Sequence, residues 1–155
     1  MADTVDVETR SRMMRGIRGT NTQPELLVRR LLHRAGFRFS LNVRTLPGNP
    51  DIVLRRHRAV VLVHGCFWHG HNCPLFRLPS TRPEFWAAKI ARNRANDIRV
   101  ASALRANGWR TATVWECALK GRRRLSAEIV AGKLARWIKS ASPSLSLTGK
   151  KQRKA

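Results

Sequence analysis

Cys66, His71 and Cys73 fall within eight residues, in a stretch from Cys66 to Arg82 that is dense in His, Cys, Pro and aromatic side chains and keeps neither the helical nor the strand period. A segment without periodicity offers no continuous apolar face, so something other than packing has to hold it. The one remaining cysteine, Cys117, follows a strand-like run from Trp109 to Trp115. The four side chains form a Cys3His set, the thiolate and imidazole donors that a tetrahedral structural zinc takes. A ligand from a distant strand would pin the loop to a sheet. Such a site contributes on the order of 10 kcal/mol to ordering its ligands. The spacing C-x4-H-x-C with a remote cysteine is not a common finger pattern, and the other reading is three buried free thiols acting as small hydrophobes. An odd number of cysteines argues against a disulfide framework.

Around this stretch the chain reads as helix, strand, strand, strand, helix, strand, helix. A short basic helix at Glu8–Gly19 precedes them. Thr22-Gln-Pro-Glu25 has the form of a capping box, and Leu26, Leu27, Leu31 and Leu32 form a stripe ending near Gly36. Phe37, Phe39, Leu41 and Val43 alternate with polar residues and predict a strand. After the turn Leu46-Pro-Gly-Asn-Pro50, Asp51 opens a second strand through Leu54, and Ala59–Val63 is an apolar run suited to the sheet centre. Thr81-Arg-Pro-Glu84 repeats the capping-box form ahead of a long helix to about Asn107, closed by Gly108. Leu125 to about Ile138 fits a final amphipathic helix. From Ser140 the chain is rich in Ser, Pro, Gly and Lys and is expected to be disordered. The fold class expected is α/β, a small mixed central sheet flanked by helices in three layers at most.

Thirty-one Lys and Arg against nine Asp and Glu give a formal net charge of +22, spread from Arg10 to Lys154. Such a field attracts a polyanion, and nucleic acid is the expected partner. No apolar span or long basic amphipathic anchor supports a membrane. Met1 to Thr20 carries charges throughout and no apolar leader, so a cytoplasmic protein is expected. Composition alone also allows a ribosome-associated RNA binder.

With so few acids, their places are informative. A hairpin would bring Asp51 close to the end of the following strand, near His64. Magnesium-dependent nucleases put one carboxylate at the start of such a hairpin and further oxygen ligands on the next strand. Here Val61-Leu-Val63 stands where an acid and a lysine would be expected, so the Val63 carbonyl would have to serve as a ligand and His64 and His69 would have to handle protons. Asp51 could equally accept turn hydrogen bonds after Pro50, and Glu25 is explained by its capping box. Asn93 and Asp97 share the helix face that carries Trp86, Ile90, Val100 and Leu104. That places them against the sheet or the site, or in a hydrogen-bonded pair. Phe67 and Trp68 lack an obvious core face. Exposed aromatics on a basic protein can wedge between base steps, and core packing is the other reading.

The string His64-Gly-Cys-Phe-Trp-His69-Gly-His71-Asn-Cys73 closely resembles the Vsr very short patch repair endonucleases. So do Leu46-Pro-Gly-Asn-Pro-Asp51, Thr81-Arg-Pro-Glu-Phe-Trp86-Ala-Ala-Lys89-Ile and Val114-Trp-Glu-Cys117-Ala-Leu, and the match runs over about residues 8 to 138. The resemblance implies a restriction-endonuclease-like fold and an enzyme that recognises the T·G mismatch left when 5-methylcytosine deaminates, cutting the thymine strand on its 5′ side. It implies that Asp51 and the Val63 carbonyl bind catalytic Mg2+ and that His69 is the general base. His64 would be a second active-site histidine, and Glu25 a carboxylate reaching the water on the metal. Cys66, His71, Cys73 and Cys117 match structural Zn2+ ligands. Phe67 and Trp68 match aromatics inserted beside the mismatch, Lys89 lies in a DNA-binding motif, and Met14 lies in an arm that clamps the duplex. Family members often carry Thr at the position of Val63 and histidines at those of Gly70 and Asn72.

The division expected is therefore a DNA-clamping arm at 1–20, an endonuclease domain at 21–139 and a basic tail at 140–155. The protein is expected to act as a monomer, with mismatch-repair proteins as candidate partners. The competing readings are a related endonuclease without mismatch specificity and a zinc-stabilised DNA-binding module without catalysis.

Overall fold

A computed structural model describes residues 22–151. The arm at 1–20, with Met14 and the helix expected at Glu8–Gly19, lies outside the described residues. Thr22 caps the first helix: its hydroxyl accepts the Glu25 backbone N–H at 3.4 Å, and Pro24 sits in the first turn, where a missing donor costs nothing. This helix, α1 (Gln23–Arg34), buries Val28, Leu31 and Leu32 together with Glu25. Gly36, at φ 95, ends it in the left-handed region.

The alternation from Phe37 to Val43 yields less strand than its period predicts. Only β1 (Ser40–Leu41) pairs, because Phe37 turns into the core and Asn42 adopts φ 48, leaving the extended region. β2 (Ile52–Leu54), a 3-10 turn at Arg55–His57 and β3 (Ala59–His64) form the expected hairpin, with Ile52 opposite Val61 and Leu54 opposite Ala59. The long helix α2 (Pro83–Ala106) crosses over to β4 (Arg110–Trp115), which runs parallel to β3 and sets Trp115 beside His64. A single-turn helix α3 (Glu116–Leu119) and α4 (Ala127–Lys139) follow, the latter capped by the Ser126 hydroxyl accepting from the Ile129 N–H at 3.2 Å.

Two expectations need correction. α2 does not use a Thr81 capping box: Arg82 is its cap residue at φ 55, without a side-chain cap bond. The ring of Pro83 disfavours a helical conformation at Arg82, and no hydroxyl cap offsets that cost as Thr22 does in α1. The tail is not disordered throughout, since Ser144–Leu147 forms β5, parallel to β4, with Leu147 buried. Leu145 and Leu147 alternate with serines, a strand period that the Ser, Pro, Gly and Lys composition hid.

The strands lie in the order β1-β2-β3-β4-β5, antiparallel through β3 and parallel beyond. β2 and the first four residues of β3 are buried at every position, so the sheet centre is covered on both faces. On one face Ile52, Leu54 and Val61 pack with Val28, Leu32, Val130, Leu134 and Ile138 of α1 and α4. On the other, Val53 and Val60 meet Leu104 and Trp109 beneath the end of α2. Each fully buried leucine or isoleucine here contributes about 1.5–3 kcal/mol. α2 buries only Ile90 and Leu104, leaving its middle turns free to present polar groups to the loop after β3. Among the described residues no helix is long and apolar enough to cross a membrane.

Candidate active site and metal centre

The hairpin brings Asp51 to the end of β3 as its spacing predicts: Asp51 Oδ2 accepts the Val63 backbone N–H at 2.8 Å. Burial pushes the Asp51 carboxyl up to about 6. The Val63 N–H pulls it down, the Glu25 charge pushes it further up, and Arg29 and His69 pull it down. Glu25, buried on α1, accepts a hydrogen bond from Arg29 at 3.2 Å. The Asp51 carboxylate is thus under-compensated by positive charge in a half-buried spot with a second carboxylate nearby, an oxygen-donor set that suits a hard divalent cation.

His64 ends β3 and stacks flat on His69, ring centroids 3.9 Å apart and planes at 2°. Burial, and then the neighbouring His69, hold His64 down at about 4 against the opposing charge of Asp97, so it is neutral at pH 7. Its Nδ1 is buried with no hydrogen-bond partner among the described residues. From α2, Asp97 Oδ2 reaches to 2.6 Å from His69 Nδ1. An ionised carboxylate can only accept, so this contact fixes the proton on Nδ1 and leaves Nε2 with its lone pair free whenever the ring is neutral. One turn earlier, Asn93 Nδ2 donates to the Trp68 carbonyl at 2.8 Å. The polar pair on the helix therefore serves the loop, holding adjacent residues of it. Gly70, at φ 61, lets that loop lie against Ile90 of the same helix.

In and around the same loop, the Cys3His set converges as the spacing suggests. The donor atoms of Cys66, His71, Cys73 and Cys117 all lie within 4.8 Å of one another. His71 Nδ1 stands 3.6 Å from both Cys66 Sγ and Cys117 Sγ. A tetrahedral ion with bonds of about 2.3 Å to sulfur and about 2.0 Å to nitrogen separates such ligands by about 3.5 Å, so the residues fit a metal. Burial pushes the Cys66 and Cys117 thiols up, which a bound cation would reverse. The Cys66 N–H donates to Glu116 Oε1 and the Cys117 N–H to Cys66 Sγ, at 3.4 and 3.3 Å.

Phe67 and Trp68 are half-buried in an aromatic cluster. Their rings lie 5.1 Å apart, and Trp86 stands 5.6 and 5.9 Å from them, in each case close to edge-on. Phe85, 40% exposed, extends the cluster outward, and Lys89 Nζ lies over Trp68 and Trp86 at 5.5 and 5.7 Å. Trp86, read from the sequence as an inward helix residue, thus belongs with the loop aromatics. A basic groove of ≈ 490 Å³, lined by Arg29, Arg30, His33, Arg34 and Phe39, opens along the C-terminal half of α1.

Sequence reasoning missed Trp115. It stacks on His71 at 4.2 Å and turns its edge to His64 at 5.2 Å and to His69 at 6.2 Å, linking the two clusters. Its position two residues before Cys117 was the available signal.

A family model described as DNA mismatch endonuclease Vsr matches residues 2–75. The DNA mismatch endonuclease Vsr of Escherichia coli (strain K12) is 46% identical over 138 residues, covering 89% of this chain and 88% of that protein. The Type II nicking enzyme V.XorIIP of Xanthomonas oryzae pv. oryzae is 48% identical over 129 residues, 83% of this chain and 95% of its own. V.NmeAIP of Neisseria meningitidis serogroup A, also a Type II nicking enzyme, is 40% identical over 122 residues, 79% and 87% of the two chains.

Proposed function

Because the chain belongs to the DNA mismatch endonuclease Vsr family, we propose that it nicks the thymine strand on the 5′ side of a T·G mismatch left by 5-methylcytosine deamination. The observation that carries the chemistry is the 2.6 Å contact between Asp97 and His69 Nδ1, beside the Asp51 carboxylate. Held in that tautomer, His69 takes a proton from the attacking water at Nε2. His64, neutral and stacked on His69, keeps a second positive charge out of the site. Asp51 and the Val63 carbonyl, with Glu25 beyond them, would hold Mg2+, and valine in place of threonine leaves a carbonyl contact intact. Mg2+ supplies charge stabilisation at the scissile phosphate. Cys66, His71, Cys73 and Cys117 would hold a structural Zn2+ that anchors the loop carrying His69, in a restriction-endonuclease-like fold.

Phe67 and Trp68, with Met14 of the arm on the other side, wedge at the mismatch, since a wobble pair costs less to distort than a Watson-Crick pair. Lys89 and the arginines of the α1 groove would meet the duplex backbone, making affinity steeply dependent on salt, while Asn93 supports the loop from behind. The protein acts as a single copy on double-stranded DNA in the cytoplasm, with mismatch-repair proteins as candidate partners.

Strand-resolved cleavage tests this directly. One duplex carries either T·G or C·G at a methylated-cytosine position within a palindromic cytosine-methylation sequence, with Mg2+ present. Nicking of the thymine strand of the mismatched duplex alone is the expected result. Equal cutting of both duplexes would make the protein an endonuclease without mismatch specificity. Binding without cutting, unchanged in Asp51→Ala, would make it a binding module.

A further inference from the structure

The chain returns to the site after α4. From β5, Ser146 Oγ accepts a hydrogen bond from Trp115 Nε1 at 3.2 Å. Just beyond the strand, the Gly149 N–H donates to Cys117 Sγ at 3.2 Å, and the Lys150 N–H donates to the Arg123 carbonyl at 2.6 Å. The space at Gly149 is closed to a side chain. A Cβ there would stand 2.6 Å from the Cys117 carbonyl oxygen and 2.8 Å from that of Arg123, both backbone atoms that cannot swing aside. Trp115, held at its indole nitrogen by Ser146, lies nearly parallel to the His71 ring at 15°. One short segment therefore bears on two members of the Cys3His set, the Cys117 sulfur directly and the His71 ring through Trp115.

We propose that Ser144–Lys150 is a working part of the metal centre: the Gly149 N–H holds the Cys117 thiolate and Ser146 fixes Trp115 against His71, so that metal binding and docking of this segment stabilise one another. The proposal rests on the reading of Cys66, His71, Cys73 and Cys117 as metal ligands. An N–H aimed at a thiolate offsets part of its charge and fixes its direction, and outer partners of this kind are worth roughly 10–100-fold in metal affinity. Coupling of two binding events is reciprocal, so whatever the docked segment contributes to metal affinity the metal returns to the docking. Gly149 and Ser146 are positioning residues in this scheme. They touch neither substrate nor reacting atoms.

The test uses the full chain and reads metal affinity, not nicking. Zinc affinity is measured by competition with a chromogenic chelator for the unaltered protein, Gly149→Ala and Ser146→Ala, and amide hydrogen exchange is followed with zinc bound and removed. The expected result is a loss of roughly 10–100-fold in zinc affinity for Gly149→Ala and a smaller loss for Ser146→Ala. The amides of Leu147 and Gly149 should exchange faster once zinc is removed, with less change at Val61 in the sheet centre. Because exchange needs no variant, misfolding of Gly149→Ala would not rescue the proposal. It is overturned if both variants hold zinc within about twofold of the unaltered chain, or if exchange at 144–150 ignores zinc. An unaltered chain that binds no zinc overturns it too, by removing the metal reading itself. Tight zinc binding with an indifferent segment removes the coupling alone.

Discussion

Asp97 Oδ2 stands 2.6 Å from Nδ1 of His69, so a residue in the middle of the long helix sets the tautomer of a histidine in the loop after β3. Asp97→Asn keeps the shape of the contact and removes its sense, because an amide can offer an N–H to Nδ1 and move the ring proton to Nε2. Single-turnover nicking is expected to fall by roughly 10²–10⁴-fold, the range that a positioned general base supplies. Duplex affinity should stay close to that of the parent. A loss under about tenfold would show that His69 does not depend on Asp97 for its proton.

Asp51 makes a prediction about stability as well as activity. Its carboxyl titrates at about 6 in the folded, metal-free chain, against an ordinary value of 3.8. The folded state therefore binds this proton more tightly than the unfolded one. The group costs stability increasingly as pH rises from 3.8 through 6, then by a constant amount. That amount is at most about 3 kcal/mol. Asp51→Asn should abolish nicking. In chelator at pH 8 it should unfold at higher urea than the parent, by about 1–3 kcal/mol, with the gap closing below pH 4. Equal stability at pH 8 would mean that the carboxylate is fully compensated without a cation.

What could be read from the sequence was what local pattern encodes. The Asp51–His64 hairpin follows from two apolar runs and a polar turn, and the Cys3His set from donor types that converge where packing is absent. The inward Asn93 and Asp97 stood out because an apolar helix face should not carry them. The losses were of two kinds, local backbone conformation and non-local pairing. β5 was hidden because Leu145 and Leu147 gain their burial only by pairing with β4, which their serine-rich surroundings do not announce. β1 shrank because the left-handed Asn42 breaks a period that looked continuous. Trp115 read simply as a strand end, since only the folded sheet sets it between His71 and His64.

Arg110 should be a stability residue with no part in the chemistry. Its guanidinium donates to the carbonyls of Trp137 at 3.0 Å, Ile138 at 2.8 Å and His57 at 2.9 Å, and lies over the Trp137 ring at 4.9 Å. It thereby ties the end of α4 to the β2–β3 turn. Arg110→Met removes this donor from the His57 and Ile138 carbonyls, while that of Trp137 keeps Ser140, and is expected to cost about 2–4 kcal/mol in chemical denaturation. Arg110→Lys should recover little, because an ammonium cannot present the planar fork. Zinc content should be unaffected in both, and loss of zinc would mean that the end of α4 governs the metal centre.

Trp68 and Lys89 touch each other, with the ammonium 5.5 Å from the indole ring, yet they should fail in different ways. Trp68→Ala removes the aromatic ring proposed as the wedge and no charge. Discrimination between T·G and C·G duplexes should drop by roughly 10–100-fold, in line with about 1–3 kcal/mol per stacked base, while the slope of log affinity against log salt stays the same. Lys89→Met removes a cation while keeping most of the apolar stem. Its affinity should fall about equally for both duplexes, and the salt slope should shrink by about 1. Loss of packing against Phe67 and Trp86 is the competing cause for Trp68→Ala, and Trp86→Phe separates the two, since it disturbs the same cluster but leaves the Trp68 ring in place. If Trp86→Phe erased mismatch preference as fully as Trp68→Ala, the shape of the whole cluster, and not an inserted Trp68 ring, would be what reads the mismatch.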